Sequence, residues 1–534
     1  MVMESRSYDS SREKPLAPVS REAARTGQPS LEMLVFCCIL TLAGIATLNR
    51  ITVHASHIRW TPCPSTYPAS LECGRLAVPV DYNHPNRAQI SLGMVRLRAS
   101  TPRALGNLIV NPGGPGNSAV SVLARQKQRQ LVSRNLTLHY NIIAPDPRGV
   151  GASHPVRCDA DVASRRVPGY ITSIDDFDKL ATWSETLGKS CARMTGPVFY
   201  HLDTISAARD LDRIRRALGD EKLNYMGVSY GTQLGSQYAE LFPEHVGRMV
   251  LDGVLDHSQA GIDSLMTESM AAEDSFHRFT RWCNTTSKCA FYSRDLPSIF
   301  DKLVDMANEK PIPALGCHEG VVKACRPDVT GYELISQAQE DLSYPKEWAR
   351  LSRALHEASE GNATLLSPRL TPRNESLPVS SQPYTYCYPC ARRARCLAGL
   401  RVVARLANLV AHRVRRAGLV DDPRQRRHNP ERVLVLEIQI NCIAWPAPVT
   451  NPERPLSRER LARAPPILLA NSLHDPSTSV VWAVGLREQM PTAVSIFRDG
   501  GGHTSYWDYG HVQKAMDAFL LNGTMPEDLA VYRS

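Results

Sequence analysis

The chain has 534 residues, of which 43% are hydrophobic and 22% charged. This excludes a disordered polypeptide, and the length exceeds one minimal core, fitting one large domain with an insertion or two domains. Twelve arginines and three acids between Ala391 and Val433 account for the whole formal charge of +9; the remainder is near neutral, which excludes a global basic surface for nucleic acid.

From the N-terminus, residues 1–32 are polar and mixed in charge, and predict a disordered tail. An apolar segment follows at 33–50, with "MLVFCCILTLAGIATL" (33–48) free of charge. It is short for a membrane span of about 20 residues and matches a signal-peptide core. Val53-His54-Ala55 offers a cleavage site. Signal peptide and signal anchor both stand open. Either puts the bulk of the chain outside the cytosol, secreted or membrane-anchored, touching the membrane only through this segment. The twelve cysteines outside it are an even number, as an oxidising compartment favours. Short loops suggest Cys63 with Cys73 and Cys283 with Cys289. N-glycosylation acceptors stand at Asn135, Asn284, Asn362, Asn374 and Asn522. Cys387 and Cys390 form a C-x-x-C with no second pair at finger spacing, so no metal site is expected.

Short apolar runs at 107–110, 140–145, 223–228, 247–253, 466–471 and 493–497 predict buried strands. Between them "TISAARDLDRIRRALG" (204–219) sets Leu211, Ile214 and Leu218 on one helical face, with Thr204 as N-cap. Residues 230–242 also read as helix. The alternation predicts an α/β fold with a mostly parallel sheet covered by helices on both faces. It stops near 255 and resumes near 465. The intervening part reads helical over 264–310 and 331–360, loop-like over 361–390, then arginine-rich. The expected organisation is a core from 56–254 and 441–534, split by an insertion at 255–440.

"NYMGVSYGTQLG" (224–235) carries Ser229 in a G-x-S-x-G between a predicted strand and a predicted helix, the setting of a nucleophile elbow. A serine hydroxyl needs a base, and the base an orienting acid, in the chain order Ser, Asp or Glu, His. Among sixteen histidines, His503 in "DGGGHTS" follows a strand and precedes a helix. His474 and His511 fit less well. Asp475 in "ILLANSLHDPSTS" follows the preceding strand. A strand leads into "NPGGPG" (111–116), whose backbone can approach a developing oxyanion. The N–H groups of Gly114 and Tyr230 are the candidate donors. Asp146 and Arg148 in "DPRGVG" read as structural residues shaping a nearby loop.

With "ECGRLAVPVDY" (72–82), "DPRGVGASHPVRC" (146–158), "FPEHVGRMVLDGV" (242–254) and "CIAWP" (442–446), these motifs carry a resemblance. The chain resembles the tripeptidyl-aminopeptidase-like α/β-hydrolases, secreted serine exopeptidases related to proline iminopeptidases. The resemblance covers most of 58–290 and 435–520. It implies the α/β-hydrolase fold, Ser229 as nucleophile, Asp475 as orienting acid and His503 as general base, with no cofactor. It also implies that 255–440 caps the site and holds the free amino terminus of a peptide substrate. Glu268, Glu273, Glu340 and Asp341 are candidate carboxylates for that amine. Three features depart from the family: "DPSTS" lacks a terminal proline, 361–433 does not match the family's cap, and a long polar extension precedes the apolar segment. The alternatives are a carboxylesterase on the same scaffold and a non-catalytic binding protein of hydrolase fold.

Overall fold

Consecutive residues of the central strands pack into opposite layers. Leu108 and Val110 face one hydrophobic core and Ile109 the other; Val250 is set against Met249 and Leu251 in the same way. A strand buried on both faces needs an unbroken apolar run, which is the pattern that marks these strands in the sequence. The computed structural model describes residues 58–125, 131–167, 173–318, 325–368 and 445–533.

The strands are β1 (Thr61–Pro62), β2 (Leu71–Pro79), β3 (Gln89–Leu97), β4 (Asn107–Asn111), β5 (Asn141–Pro145), β6 (Leu223–Val228), β7 (Val246–Asp252), β8 (Ile312–Pro313), β9 (Asp328–Val329), β10 (Leu468–His474), β11 (Val494–Gly501) and β12 (Ala530–Arg533). Ten form one sheet in the order β1-β2-β3-β5-β4-β6-β7-β10-β11-β12, while β8 and β9 pair separately. Pairing is antiparallel from β1 to β5 across the sheet and parallel from there on. The chain leaves β4 for β5 on one side and returns to β6 on the other. A crevice therefore opens at the carboxyl ends of β4 and β6, where an open α/β sheet binds its ligand.

The antiparallel pair β2–β3 lies outside the predicted strands. Arg75, Arg96 and partly exposed positions break the apolar pattern there, because these strands approach the sheet edge. The helix at 204–218 forms over Thr204–Leu218, but its N-cap is Asp203, not Thr204. The Asp203 carboxylate accepts from Ser206 N–H at 2.8 Å, and Gly219 ends the helix at φ 79°. Thr204 is the first helical residue, and its hydroxyl instead bonds the Tyr230 hydroxyl at 3.0 Å.

Between β7 and β10 the chain forms helices Gly261–Thr285, Leu296–Glu309, Gly331–Leu342 and Trp348–Ser359. They bury their own core, which includes Phe279, Phe300, Leu334 and Leu351. Arg166 ties this layer to the core through Asp328 at 2.6 Å and Glu333 at 2.9 Å. Disulfides join Cys63–Cys73, Cys158–Cys191, Cys283–Cys289 and Cys317–Cys325. The apolar segment 33–50, Asn374 and the arginine-rich stretch lie outside the described residues. Among the described residues, no helix is long and apolar enough to cross a membrane.

Candidate active site

Strand β6 ends at Val228, and Ser229 turns the chain into helix Tyr230–Leu241 with φ 56° and ψ −124°. A side chain in this region costs about 1–3 kcal/mol and persists only when its surroundings hold it. Three hydrogen bonds do so. Ser229 N–H donates to the Asp252 carbonyl at 2.8 Å, and the Ser229 carbonyl accepts from Thr232 N–H at 2.8 Å and from its hydroxyl at 2.7 Å. The turn is tight enough that a Cβ on Gly227 would lie 2.3 Å from the Gly231 carbonyl oxygen.

The loop after β4 runs against this turn. A Cβ on Gly113 would sit 2.9 Å from Ser229 Cβ and 3.2 Å from Tyr230 N, and φ there is +87°. Only glycine admits both the approach and the conformation. Asn111 Oδ1 accepts from Gly113 N–H at 2.9 Å and so fixes the start of the loop. Buried Asp146 fixes its end, accepting from Val120 N–H at 3.0 Å, the Ser118 hydroxyl at 3.0 Å and Ala152 N–H at 2.8 Å. Arg148 is also buried. It bonds both oxygens of Asp210 at 2.7 Å and the carbonyls of Pro79, Val80 and His201.

Strand β10 ends at His474, so Asp475 projects from its carboxyl end; His503 follows β11. His503 Nδ1 lies 3.0 and 3.1 Å from the two Asp475 oxygens. The carboxylate also accepts from the N–H groups of Ser477, Thr478 and Thr504 at 2.8–2.9 Å and from the Thr478 hydroxyl at 2.9 Å. Burial works to raise the Asp475 carboxyl, but the His503 charge and these donors outweigh it and hold the group below its ordinary value. Burial likewise works to lower His503, yet the Asp475 and Asp252 charges raise it above its ordinary value. With Nδ1–H facing the carboxylate, Nε2 is left to accept a proton.

Asp252, absent from the sequence-derived candidates, joins the two halves of the site. Its carbonyl holds Ser229, and its fully buried carboxylate accepts from Ser505 N–H at 2.9 and 3.0 Å and Tyr506 N–H at 2.8 Å. Burial raises its carboxyl to about 6 against those hydrogen bonds, and the Asp475 charge adds to the rise. The only sequence signal for this role is its position as the last residue of a central strand.

Residues 106–303 match the α/β-hydrolase fold family and residues 432–531 the TAP-like protein family. Tripeptidyl aminopeptidase of Streptomyces lividans is 30% identical over 487 residues, spanning 87% of this chain and 84% of that protein. The chain belongs to the tripeptidyl-aminopeptidase family. It is a serine hydrolase of that family. Serine protease Hip1 of Mycobacterium tuberculosis is 26% identical over 518 residues, 93% of this chain and 95% of that protein. Carboxylesterase B of the same organism is 29% identical over 468 residues, 85% of each chain.

Against this family background, the insertion separates the four candidate carboxylates. Glu273 stands 3.4 Å from His277, Glu340 accepts from Gln337 at 3.3 Å, and Asp341 pairs with Arg350. Glu268 makes no ion pair among the described residues. It shares a helix face with buried Ser275 and Phe279, about two and three helical turns along, and burial pushes its carboxyl up to about 8. The side chain nevertheless keeps partial access to solvent, which suits a group lining a cavity. His474, the rejected base, is held by Asp274 at 2.7 Å and by Arg278. His511 begins the last helix. Asn135, Asn284 and Asn522 are exposed, whereas Asn362 is half-buried and caps Thr364 and Leu315 through its side chain.

Proposed function

We propose that the chain is an aminopeptidase that releases short N-terminal fragments through an acyl-enzyme on Ser229. The observation that carries this is the Asp475–His503 contact at 3.0 Å, set beside a strained Ser229 turn through Asp252. Ser229 Oγ attacks the peptide carbonyl carbon while His503 Nε2 takes the hydroxyl proton. The C–N bond then breaks, the same proton passes to the leaving nitrogen, and the acyl group stays on Ser229 as an ester. Water repeats the sequence with His503 as base and frees the fragment. The oxyanion is met by the N–H of Tyr230 and of Gly114, next to the close approach at Gly113. The helical insertion acts as a cap, and Glu268 holds the substrate's ammonium. Its lack of an ion pair among the described residues and its raised carboxyl support this choice over Glu273, Glu340 and Asp341.

The four disulfides among the described residues and the uncharged 33–48 segment support a site outside the cytosol, secreted or anchored. The relative named carboxylesterase B supports a second reading, ester hydrolysis on the same residues. Turnover of tripeptidyl and aminoacyl anilides, with and without an acetylated amine, set beside simple esters, tests the two. Selective loss on acetylation is expected. Equal turnover of blocked and free substrates, or ester turnover alone, overturns the exopeptidase reading.

A further inference from the structure

The residue that leaves must lie beside the group that protonates it. His503 forms part of the wall of a cavity of about 390 Å³ at the seam between the core and the helical insertion. The seam is closely built: His503 N–H donates to the Ser343 carbonyl at 2.8 Å, and a Cβ on Gly502 would meet Pro345 at 2.6 Å. Arg278, Tyr344, Lys346, Arg498 and Trp507 line the same space. Three of these are cations, and the carboxylates nearby are spoken for unequally. Asp508 pairs with Arg498 at 2.7 Å, Asp274 with Arg278 at 3.4 Å and His474 at 2.7 Å, and Glu347 with Arg350 at 3.6 Å. Arg498 is further locked to the carbonyls of Gly501, Gly502 and Thr504. Lys346 makes no ion pair among the described residues. It is exposed on a short turn; burial raises the Asp508 carboxyl above its ordinary value, and Lys346 is near enough for its charge, with that of Arg498, to oppose the rise.

We infer that this cavity is the leaving-group subsite and that Lys346 selects substrates whose residue after the scissile bond presents a carboxylate. That carboxylate is either an acidic side chain or the C-terminus of a one-residue leaving group. The inference rests on the peptidase reading above. It adds a preference on the side of the bond opposite the free amine. Because Lys346 is exposed, the selection is modest, about fivefold, and weakens as salt rises.

The test compares kcat/KM for one free-amine tripeptide followed by Glu-amide, Gln-amide, Lys-amide or Gln with a free carboxyl. The full chain is expected to favour Glu-amide over Gln-amide, and the free-carboxyl Gln over its amide, by about fivefold at low salt. The first ratio reads the side-chain source and the second the terminal one. Lys346→Gln should bring both ratios near one, and Lys346→Glu should turn the preference toward Lys-amide. An enzyme that cleaves these peptides and the tripeptidyl anilide with no preference overturns the subsite and leaves the peptidase reading intact. Ratios that survive Lys346→Glu overturn the role of Lys346. Ester turnover without any peptide cleavage overturns both.

Discussion

Asp252 holds Ser229 with its backbone and the His503 loop with its side chain. The carbonyl accepts from Ser229 N–H at 2.8 Å, and the carboxylate accepts from Ser505 and Tyr506 N–H groups at 2.8–3.0 Å. The Ser229 turn and the His503 loop, far apart in sequence, are thus referred to one buried residue. Asp252→Ala should strand these N–H groups and cost about 2 kcal/mol of stability, read by denaturant unfolding. Asp252→Asn keeps an acceptor but removes a charge that raises His503. The acid limb of its kcat/KM–pH profile should move to lower pH, a shift that a merely structural residue would not produce. An unmoved limb in a folded, active Asp252→Asn protein would refute the electrostatic link.

A histidine general base works only when neutral. His503 lies above its ordinary value of 6.5, so kcat/KM should climb through a limb above that pH and stay high beyond it. Stability runs the other way for this group: its contribution is complete below 6.5 and is lost as pH rises through the folded value. The depressed Asp475 contributes stability above its ordinary value of 3.8, lost as pH falls through its lower folded value. A pH–rate profile alongside thermal melts checks both signs.

Ser229 occupies a conformation that suits glycine. Ser229→Ala should abolish turnover and leave the melting temperature within a few degrees. Ser229→Gly should also be inactive but more stable by about 1 kcal/mol, since it relieves the strain at φ 56° against a smaller entropic cost of glycine. A Gly variant less stable than the Ala variant would mean that the turn is not strained.

Glu268→Gln should lower kcat/KM on free-amine substrates about tenfold to a hundredfold, with little change for simple esters. The substrate-free Glu268 carboxyl, raised to about 8, makes its full contribution to stability below its ordinary 4.5 and loses it progressively as pH rises through about 8. The Gln variant should therefore melt higher than the parent at pH 9, with the gap closing toward pH 4.5. Equal losses on esters and peptides would remove Glu268 from amine recognition.

Much of the site was legible because its residues stand at the ends of fully buried strands, which announce themselves as apolar runs. Ser229 after β6, Asp475 after β10 and His503 after β11 could each be read from such a run and the break behind it. β2 and β3 could not, because partly exposed strands near the sheet edge are interrupted by polar residues such as Arg75. The N-cap at Asp203 was missed by one position, since Asp and Thr both cap and adjacent candidates look alike in sequence. Four insertion carboxylates were equivalent as letters until packing supplied Glu273, Glu340 and Asp341 with partners and gave Glu268 no ion pair among the described residues.

The buried central strands along the chain, the elbow glycines and the Ser-Asp-His succession were determined by the sequence itself, because they rest on local chemistry: burial runs, turn sterics and strand ends. Only the tertiary structure decided that Gly113 meets Ser229, that Asp252 ties the serine turn to the histidine loop, and that Lys346 and His503 line one cavity. Each is a contact between residues distant along the chain, and its energy exists only once the sheet and the insertion have packed.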